Sequence, residues 1–431
     1  MKSGAIYHRN RWLIALAGFG IHVCIGSVYA WSVFSKPLQS AFGWSMKEAN
    51  FTFGLAIFTL GISAAAMGHV VERYGPKISG LISMFFWTFG LAGSGFALSD
   101  DAAISEFRLP LLYLFYGLLG GIGLGTGYVT PVSTLIKWFP DHRGLATGMA
   151  IMGFGFASFL GAPVINHLIG RIGLSQTFYV LSGLYLLVMS MSALYLAPPP
   201  EHFSPALEKT TGHQKRRWVA DLMPMDANQA VRTLPFYGLW IMMFINITCG
   251  IAVISVASPM IQEMTGLSPL MAAAIVGLIG LFNGLGRITW ASISDWVGRP
   301  VTFILFFVIE IGCFVALPEI SDILVFQVLL FLVMTCYGGG FATLPAYIGD
   351  IFGTRQVSAI HGYVLTAWAF AGISGSSLAA VIRDSTGSYS KMLQIFSGIF
   401  CLALIVSVTM LLFVRSKRRQ MQGCLGSEAR A

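Results

Sequence analysis

Stretches of about twenty apolar residues, the length that crosses a bilayer core of ~30 Å as a helix, recur along this chain of 431 residues. Only 10% of the residues are charged, against about 25% in soluble domains, so the chain cannot cover a water-facing surface. The sequence therefore predicts an all-α integral protein of the lipid bilayer, and argues against a nucleic-acid-binding protein despite a net charge of +8. The predicted spans are 12–35, 51–70, 78–98, 109–136, 145–168, 176–197, 236–262, 270–293, 301–318, 323–349, 358–382 and 389–414.

The spans form two groups of six, separated by a polar segment rich in proline. We interpret residues 198–234 as a cytoplasmic linker, with a short interfacial helix around Trp218 to Met223, between bundles at 1–197 and 235–414. A basic cytoplasmic tail is predicted at 415–431. With both termini in the cytoplasm, 19 of the 26 lysines and arginines fall on the cytoplasmic side and 6 outside. We therefore expect a multi-pass protein of the plasma or inner cell membrane.

Two loops repeat one pattern at equivalent places in the two halves, "GHVVERYGPK" after span 2 and "SISDWVGRP" after span 8. Each places an acid, then glycine three residues later, then a base: Glu72, Gly75 and Lys77, and Asp295, Gly298 and Arg299. Parallel six-helix halves are typical of transporters. The charges are predicted to bind the facing half and to separate when the cytoplasmic side opens. The alternative is that they only follow the positive-inside bias. The candidate gating residues are Glu72, Arg73, Arg143, Asp295 and Arg299.

The first loop resembles the G-x-x-x-D-R-x-G-R motif of the major facilitator superfamily, with Glu72 in place of the usual aspartate. "KWFPDHRGLATGMAIMGFGF", at 137–156, resembles the W-F-P-[DE]-[KR]-[KR]-G-L-A-[ST]-G signature of its oxalate/formate antiporters and monocarboxylate transporters, with His142 at the first basic position. The resemblance implies twelve transmembrane helices in two pseudo-symmetric bundles. It also implies secondary transport of a small organic anion by alternating access, by a protein that functions as a monomer.

Arg287 lies inside a predicted span, eight residues before Asp295, and therefore about 12 Å from the cytoplasmic boundary. Asn283 is one helical turn away on the same face. In the resembling group an arginine in span 8 binds the substrate carboxylate, and a planar guanidinium offers a carboxylate paired donors. The alternative is a structural arginine that reaches the interface or pairs with an acid.

The resemblance further implies aromatic residues around the substrate. Tyr337 and Phe341 in span 10, Tyr128 in span 4 and Tyr29 in span 1 are the candidates, although aromatic side chains in spans are also common in simple packing.

Oxalate exchangers of this group carry a second cation, a lysine in span 11. Here "SAIHGYVLTAWAFAG", at 358–372, has no lysine or arginine, and the equivalent position is Ala369. Because burying an unpaired carboxylate is unfavourable, a monoanion such as lactate, pyruvate or formate fits better than a dianion. An oxalate/formate-type dicarboxylate antiporter is the second hypothesis, and a carboxylate-sensing receptor with a transporter-like body is the third.

The coupling of transport, by proton symport or by exchange, stays open in the sequence. His361 at the start of span 11 and Glu310 in span 9 are candidate proton sites, and His22 in span 1 is a weaker one. For each, a local structural hydrogen bond is the alternative.

Neither a cofactor site nor an enzyme is predicted. The six cysteines form no C-x-x-C pair, and five lie in apolar segments, which is typical of small buried hydrophobic residues rather than metal ligands. The run "GLLGGIGLGTG", at 117–127, follows no strand, so a dinucleotide site is not indicated. The spacing of Gly117, Gly121 and Gly125 instead predicts close helix packing.

Overall fold

The structure, a computed structural model, describes residues 9–200 and 221–428, and every regular element within these ranges is helical. The α-helices are α1 (Arg11–Gly26), α2 (Ser32–Phe42), α3 (Met46–Ala97), α4 (Arg108–Leu112), α5 (Gly121–Trp138), α6 (Arg143–Tyr195), α7 (Ala227–Ala230), α8 (Leu234–Ser255), α9 (Ala257–Thr265), α10 (Pro269–Val297), α11 (Arg299–Ala316), α12 (Ile323–Phe352), α13 (Val357–Val364), α14 (Thr366–Thr386) and α15 (Tyr389–Glu428). Short 3-10 segments lie at Ser27–Ala30, Ala102–Phe107 and Leu317–Glu319, and a π-helix at Tyr113–Gly120.

Two of these helices are too long for one membrane crossing. α3 has 52 residues and α6 has 53, whereas a crossing needs about 20. Each is broken at a glycine, Gly75 (φ 78°, ψ 173°) and Gly173 (φ 79°, ψ 175°), in a region of backbone space open essentially to glycine alone. Each therefore supplies two spans. Ten helical segments are apolar and long enough to cross a membrane, and with two of them double, the described residues form twelve spans, as predicted.

The twelve spans are numbered in chain order. Span 1 comprises α1 and α2, spans 2 and 3 the arms of α3, span 4 α4 and α5, spans 5 and 6 the arms of α6, span 7 α8 and α9, spans 8 to 10 α10 to α12, span 11 α13 and α14, and span 12 α15.

Three spans predicted as continuous are interrupted, namely 1, 7 and 11. At each break a hydroxyl bonds the carbonyl three residues earlier: Ser27 to Cys24 (2.7 Å), Ser255 to Ala252 (2.8 Å) and Thr366 to Tyr363 (2.8 Å). Such bonds offer the carbonyl an alternative to the regular helical ladder. Hydropathy does not detect them, since the segments remain apolar throughout.

The two halves meet along two seams. α6 packs on α10, and α3 packs on α13 and α14. Ion pairs bring several loops, the end of the linker and the start of α1 to one end of the bundle, such as Arg11 with Asp141 and Lys137 with Glu72. We call it the basic end.

The outer surface is apolar, as contact with lipid requires. Leu187, Met191 and Ile405 expose 60%, 66% and 64% of their area. Buried polar groups are turned inward instead, among them Asn246, Asn283 and Arg287.

The linker returns to the structure at Asp221. Of the helix predicted around Trp218 to Met223, Trp218 lies outside the described residues. The described residues 221–223 are not helical. Instead, Leu222 and Met223 donate backbone hydrogen bonds to the carbonyls of Asp350 and Ile351, at the end of α12 (3.1 and 2.8 Å). At the other terminus, α15 continues through 415–428, where the sequence predicted a separate tail.

Candidate functional site

Arg287 is fully buried between the two halves. Its Nε donates to Oδ1 of Asn283 (3.3 Å), and its Nη1 donates across the seam to the carbonyl of Ile151 on α6 (3.3 Å). Nη2 donates to no described group, and no described acid pairs with the guanidinium. The interior therefore holds a permanent cation whose hydrogen bonds are to neutral groups only and whose fork retains a free donor.

The glycines of α6 allow α10 to approach this closely. A Cβ on Gly148 would lie 2.9 Å from the carbonyl oxygen of Arg287 and 2.9 Å from Cα of Ile288. A Cβ on Gly155 would lie 2.6 Å from Cα of Gly284. The small residues of the "GLATGMAIMGFG" stretch thus allow α6 and α10 to pack closely enough for Arg287 to contact the opposite half.

Gly148→Leu is expected to destabilise the protein by about 1–3 kcal/mol, because the added side chain forces α6 away from α10. Gly170→Leu is the matched control on the same helix, since no described atom beyond the neighbouring residues and the local helix backbone lies within 4 Å of a Cβ there. Thermal unfolding of the purified proteins measures the difference. Equal unfolding temperatures for the two variants would contradict the close-contact role of Gly148.

Aromatic rings surround the guanidinium. Its central carbon lies 5.1 Å from the ring centroid of Phe341 and 5.6 Å from that of Phe154. Four further ring contacts complete this aromatic cluster. By the distance between ring centroids they are Tyr29 with Phe154 (4.9 Å), Tyr128 with Trp368 (5.2 Å), Phe341 with Trp368 (4.7 Å) and Tyr337 with Phe341 (5.4 Å). The structure therefore brings all four predicted aromatic residues to Arg287 and Asn283.

Two hydroxyls of this cluster are buried without a full hydrogen bond to any described residue, those of Tyr29 and Tyr128. The Tyr29 hydroxyl approaches Tyr337 and Arg287 without hydrogen-bond geometry to either. A buried polar group without a partner costs about 1–3 kcal/mol, so it is typical of a site that a ligand or water completes.

Phe154 and Trp368 belong to the cluster although the sequence analysis did not select them. Phe154 lies in the "GFGF" end of the signature. Trp368 lies beside Ala369, the predicted equivalent of the second cation of oxalate exchangers. Ala369 packs against Gly61 of α3: a Cβ added to Gly61 would lie 2.6 Å from the Cβ of Ala369. Trp368, in contrast, reaches the cluster through Phe341.

The two candidate proton sites have different surroundings. His361 packs on the ring of Tyr128, with centroids 5.9 Å apart, and so adjoins the cluster. Glu310 is buried on α11 within the C-terminal half. Among the described residues it forms no ion pair, and its Oε2 has no hydrogen-bond partner.

At the basic end, the acids of the repeated loops each bind the first turn of a helix in the opposite half. Asp295 accepts from the backbone N–H groups of Gly144 and Leu145 on α6 (both 2.9 Å). Glu72 accepts from the backbone N–H of Ser358 on α13 (2.9 Å). Helix N-termini favour negative charge, so both contacts stabilise closure. We call these two contacts the latch.

Arginines extend the latch into a charge network. Arg143 pairs with Asp350 (3.1 Å) and with Asp221 of the linker (3.2 Å), and Arg299 pairs with Asp295 and Asp350. Arg73, in contrast, is exposed and lies over the ring of Tyr74, and no ion pair ties it to the network in the described part of the chain. Lys137, which binds Glu72, and Asp221 and Asp350 were not selected from the sequence.

The comparisons with known proteins agree with this architecture. The family model described as Major Facilitator Superfamily matches residues 14–376. The oxalate:formate antiporter of Oxalobacter formigenes is 27% identical over 381 residues, covering 88% of this chain and 86% of that protein. Monocarboxylate transporter 12 of Xenopus laevis is 24% identical, covering 91% and 87%. The crystal structure of the E. coli fucose:proton symporter FucP has a TM-score of 0.69 at 13% identity, covering 93% and 99%.

Proposed function

Because the chain belongs to the Major Facilitator Superfamily, whose members are transporters, we propose that it carries small monocarboxylates across the cell membrane by alternating access. The observation that carries this proposal is Arg287, a buried cation with no acidic partner and one free donor among the described groups. A bound carboxylate would neutralise the guanidinium and accept its remaining hydrogen bond. A purely structural arginine would instead find an acid and acceptors within the protein. Lactate, pyruvate and formate are the probes of the right charge and size.

The ring of aromatic side chains supports a small substrate. Phe154, Phe341 and Trp368 surround the guanidinium with apolar rings, and such surroundings strengthen a bond to a carboxylate. The hydroxyls of Tyr29 and Tyr128 supply donors for a second polar group of the substrate, such as the hydroxyl or carbonyl of a 2-oxygenated acid.

A dicarboxylate antiporter remains the second candidate, since the oxalate:formate antiporter is a relative that aligns with most of the chain. Against it stands the absence of a second cation in the described cluster, where span 11 contributes Trp368. The second carboxylate of oxalate would be buried against aromatic rings without a partner.

The latch defines the conformational cycle. With Asp295 and Glu72 bound to the opposite half, the basic end is closed, so substrate enters from the other end. From the positive-inside bias we infer that the basic end faces the cytoplasm. Opening this end requires both acids to leave their helix N-termini, which releases substrate to the cytoplasm.

Counterflow in proteoliposomes tests the proposal. Vesicles loaded with unlabelled pyruvate, lactate or formate are expected to accumulate the labelled acid transiently, whereas loading with oxalate should stimulate uptake at least tenfold less. Empty vesicles give the background from diffusion of neutral acids. Stronger stimulation of uptake by internal oxalate than by any of the three monocarboxylates would favour the dicarboxylate antiporter instead.

A further inference from the structure

Two buried histidines from opposite halves pack on one tyrosine ring. His22 on α1 and His361 on α13 are 0% and 1% exposed. Their ring centroids lie 5.4 and 5.9 Å from that of Tyr128. The two imidazoles therefore lie against the same ring, one from each half.

This group has an excess of unsatisfied polar atoms. Nδ1 of His22 lies 3.1 Å from the carbonyl of Gly18, and since a carbonyl only accepts, Nδ1 carries the hydrogen and Nε2 is a bare acceptor. That Nε2, both ring nitrogens of His361 and the hydroxyl of Tyr128 make no hydrogen bond to any described residue. The group therefore holds four buried polar atoms without a partner among the described residues. Of these, Nε2 of His22 and one nitrogen of a neutral His361 can each accept an added proton.

Arg287 makes protonation of the pair depend on substrate. Arg287 and His22 both pack on Phe154, whose ring centroid lies 5.6 Å from the guanidinium carbon and 6.4 Å from the imidazole centroid, so the charge of Arg287 opposes a second positive charge on His22. A carboxylate bound to Arg287 cancels that field, so one added proton returns the interior to the net charge of the empty carrier, +1. The empty and the loaded protein then change conformation with the same buried charge.

The other described elements packed around the pair bring aromatic rings to it, and most of their charged groups are exposed or paired elsewhere. α6 and α14 contribute Phe154 and Trp368, which do not titrate. On α3, His69 bonds Tyr363 and Glu72 pairs with Lys137, while Arg73 and Lys77 are exposed. On α12, Asp350 pairs with Arg143 and Arg299, and Tyr337 packs on Phe341.

We propose that His22 and His361 together hold one proton that crosses with the monocarboxylate, an inference that rests on the proposed function. Because the two rings belong to different halves, opening the basic end takes His361 away from His22 and Tyr128. The shared site is then divided and exposed to water, so the proton leaves on the same side as the carboxylate. No covalent step is involved: one proton and one carboxylate enter from one side and leave on the other.

The test separates proton coupling from carboxylate binding, with pyruvate as the probe. Wild-type proteoliposomes containing a trapped pH dye are expected to acidify as pyruvate flows in. His361→Gln and, separately, His22→Gln should lose at least tenfold of this acidification and of net uptake, while pyruvate counterflow, which needs no net proton movement, stays within about threefold. His167→Gln, at an exposed position on α6, should behave as wild type.

Each other outcome overturns the inference in a recognisable way. Normal acidification in both variants would exclude the histidines as the proton site. Parallel loss of counterflow and acidification in both variants, with folded protein present, would show that they serve substrate binding or structure instead. Absence of counterflow in the wild type with pyruvate, lactate and formate would overturn the proposed function itself, and the inference with it.

Discussion

Replacing Arg287 with alanine is expected to weaken the binding of pyruvate, lactate and formate about a hundredfold or more. Removing one partner of a buried, hydrogen-bonded charge pair typically costs 2–5 kcal/mol, roughly, and about 1.4 kcal/mol corresponds to a factor of ten. Arg287→Lys should fail almost as severely, because an ammonium is a point charge without the fork that holds Asn283 and a carboxylate together. Equilibrium binding of labelled pyruvate to the purified variants measures both losses.

The control for this prediction lies two residues away. Thr289→Ala changes an exposed position on the same helix and should leave affinity and folding unchanged. If Arg287 were only structural, both Arg287 variants would instead lose folded protein in the membrane. A folded Arg287→Ala protein with wild-type affinity would refute the anchor.

Asp295→Asn is expected to shift the carrier toward the state in which the basic end is open. The asparagine keeps the shape but removes the charge that binds the N–H groups of Gly144 and Leu145 and the side chain of Arg299. Hydrogen bonds to a charged group contribute about 1.5–3 kcal/mol, so the equilibrium should move by at least tenfold. Turnover should slow more than substrate affinity changes, because Asp295 stabilises one conformation of the transport cycle and does not bind the substrate.

Thiol labelling measures this shift. Ser358→Cys places a thiol at a buried position beside Glu72, at the contact between α3 and α13, in a background whose native cysteines are replaced by serine. Its labelling should be at least tenfold faster with Asp295→Asn. Asp322→Asn is the matched control, since that carboxylate also binds a helix N-terminus, at Val325, but within one half. Equal labelling of folded protein in all backgrounds would contradict the latch.

The spans could be predicted because membrane crossing depends on length and hydropathy, which each segment carries by itself. Arg287 and Asn283 could be selected for a related reason: a charge inside an apolar run stands out, and its neighbour one turn away must share its face. The repeated loops likewise identified Glu72 and Asp295 as candidates, although not the helix N-termini that they bind.

Residues whose role depends on the rotation or path of a second segment could not be selected in the same way. Trp368 and Ala369 are adjacent, yet one reaches the cluster and the other packs on α3, because successive residues of a helix point about 100° apart. Asp221 joins the charge network only because the end of the linker runs beside α12. Arg73 has the right charge in the right motif but is exposed and lies over the ring of Tyr74.

The most direct test of the carboxylate anchor is a crystal structure with dichloroacetate, a small unreactive monocarboxylate whose chlorine atoms scatter anomalously at long wavelength, once it is shown to inhibit pyruvate counterflow. We predict a carboxylate within about 3 Å of the Arg287 guanidinium nitrogens, with the chlorine peaks against Phe154, Phe341 and Trp368. Chlorine peaks elsewhere in the bundle, with Arg287 still bonded only to Asn283 and Ile151, would contradict it.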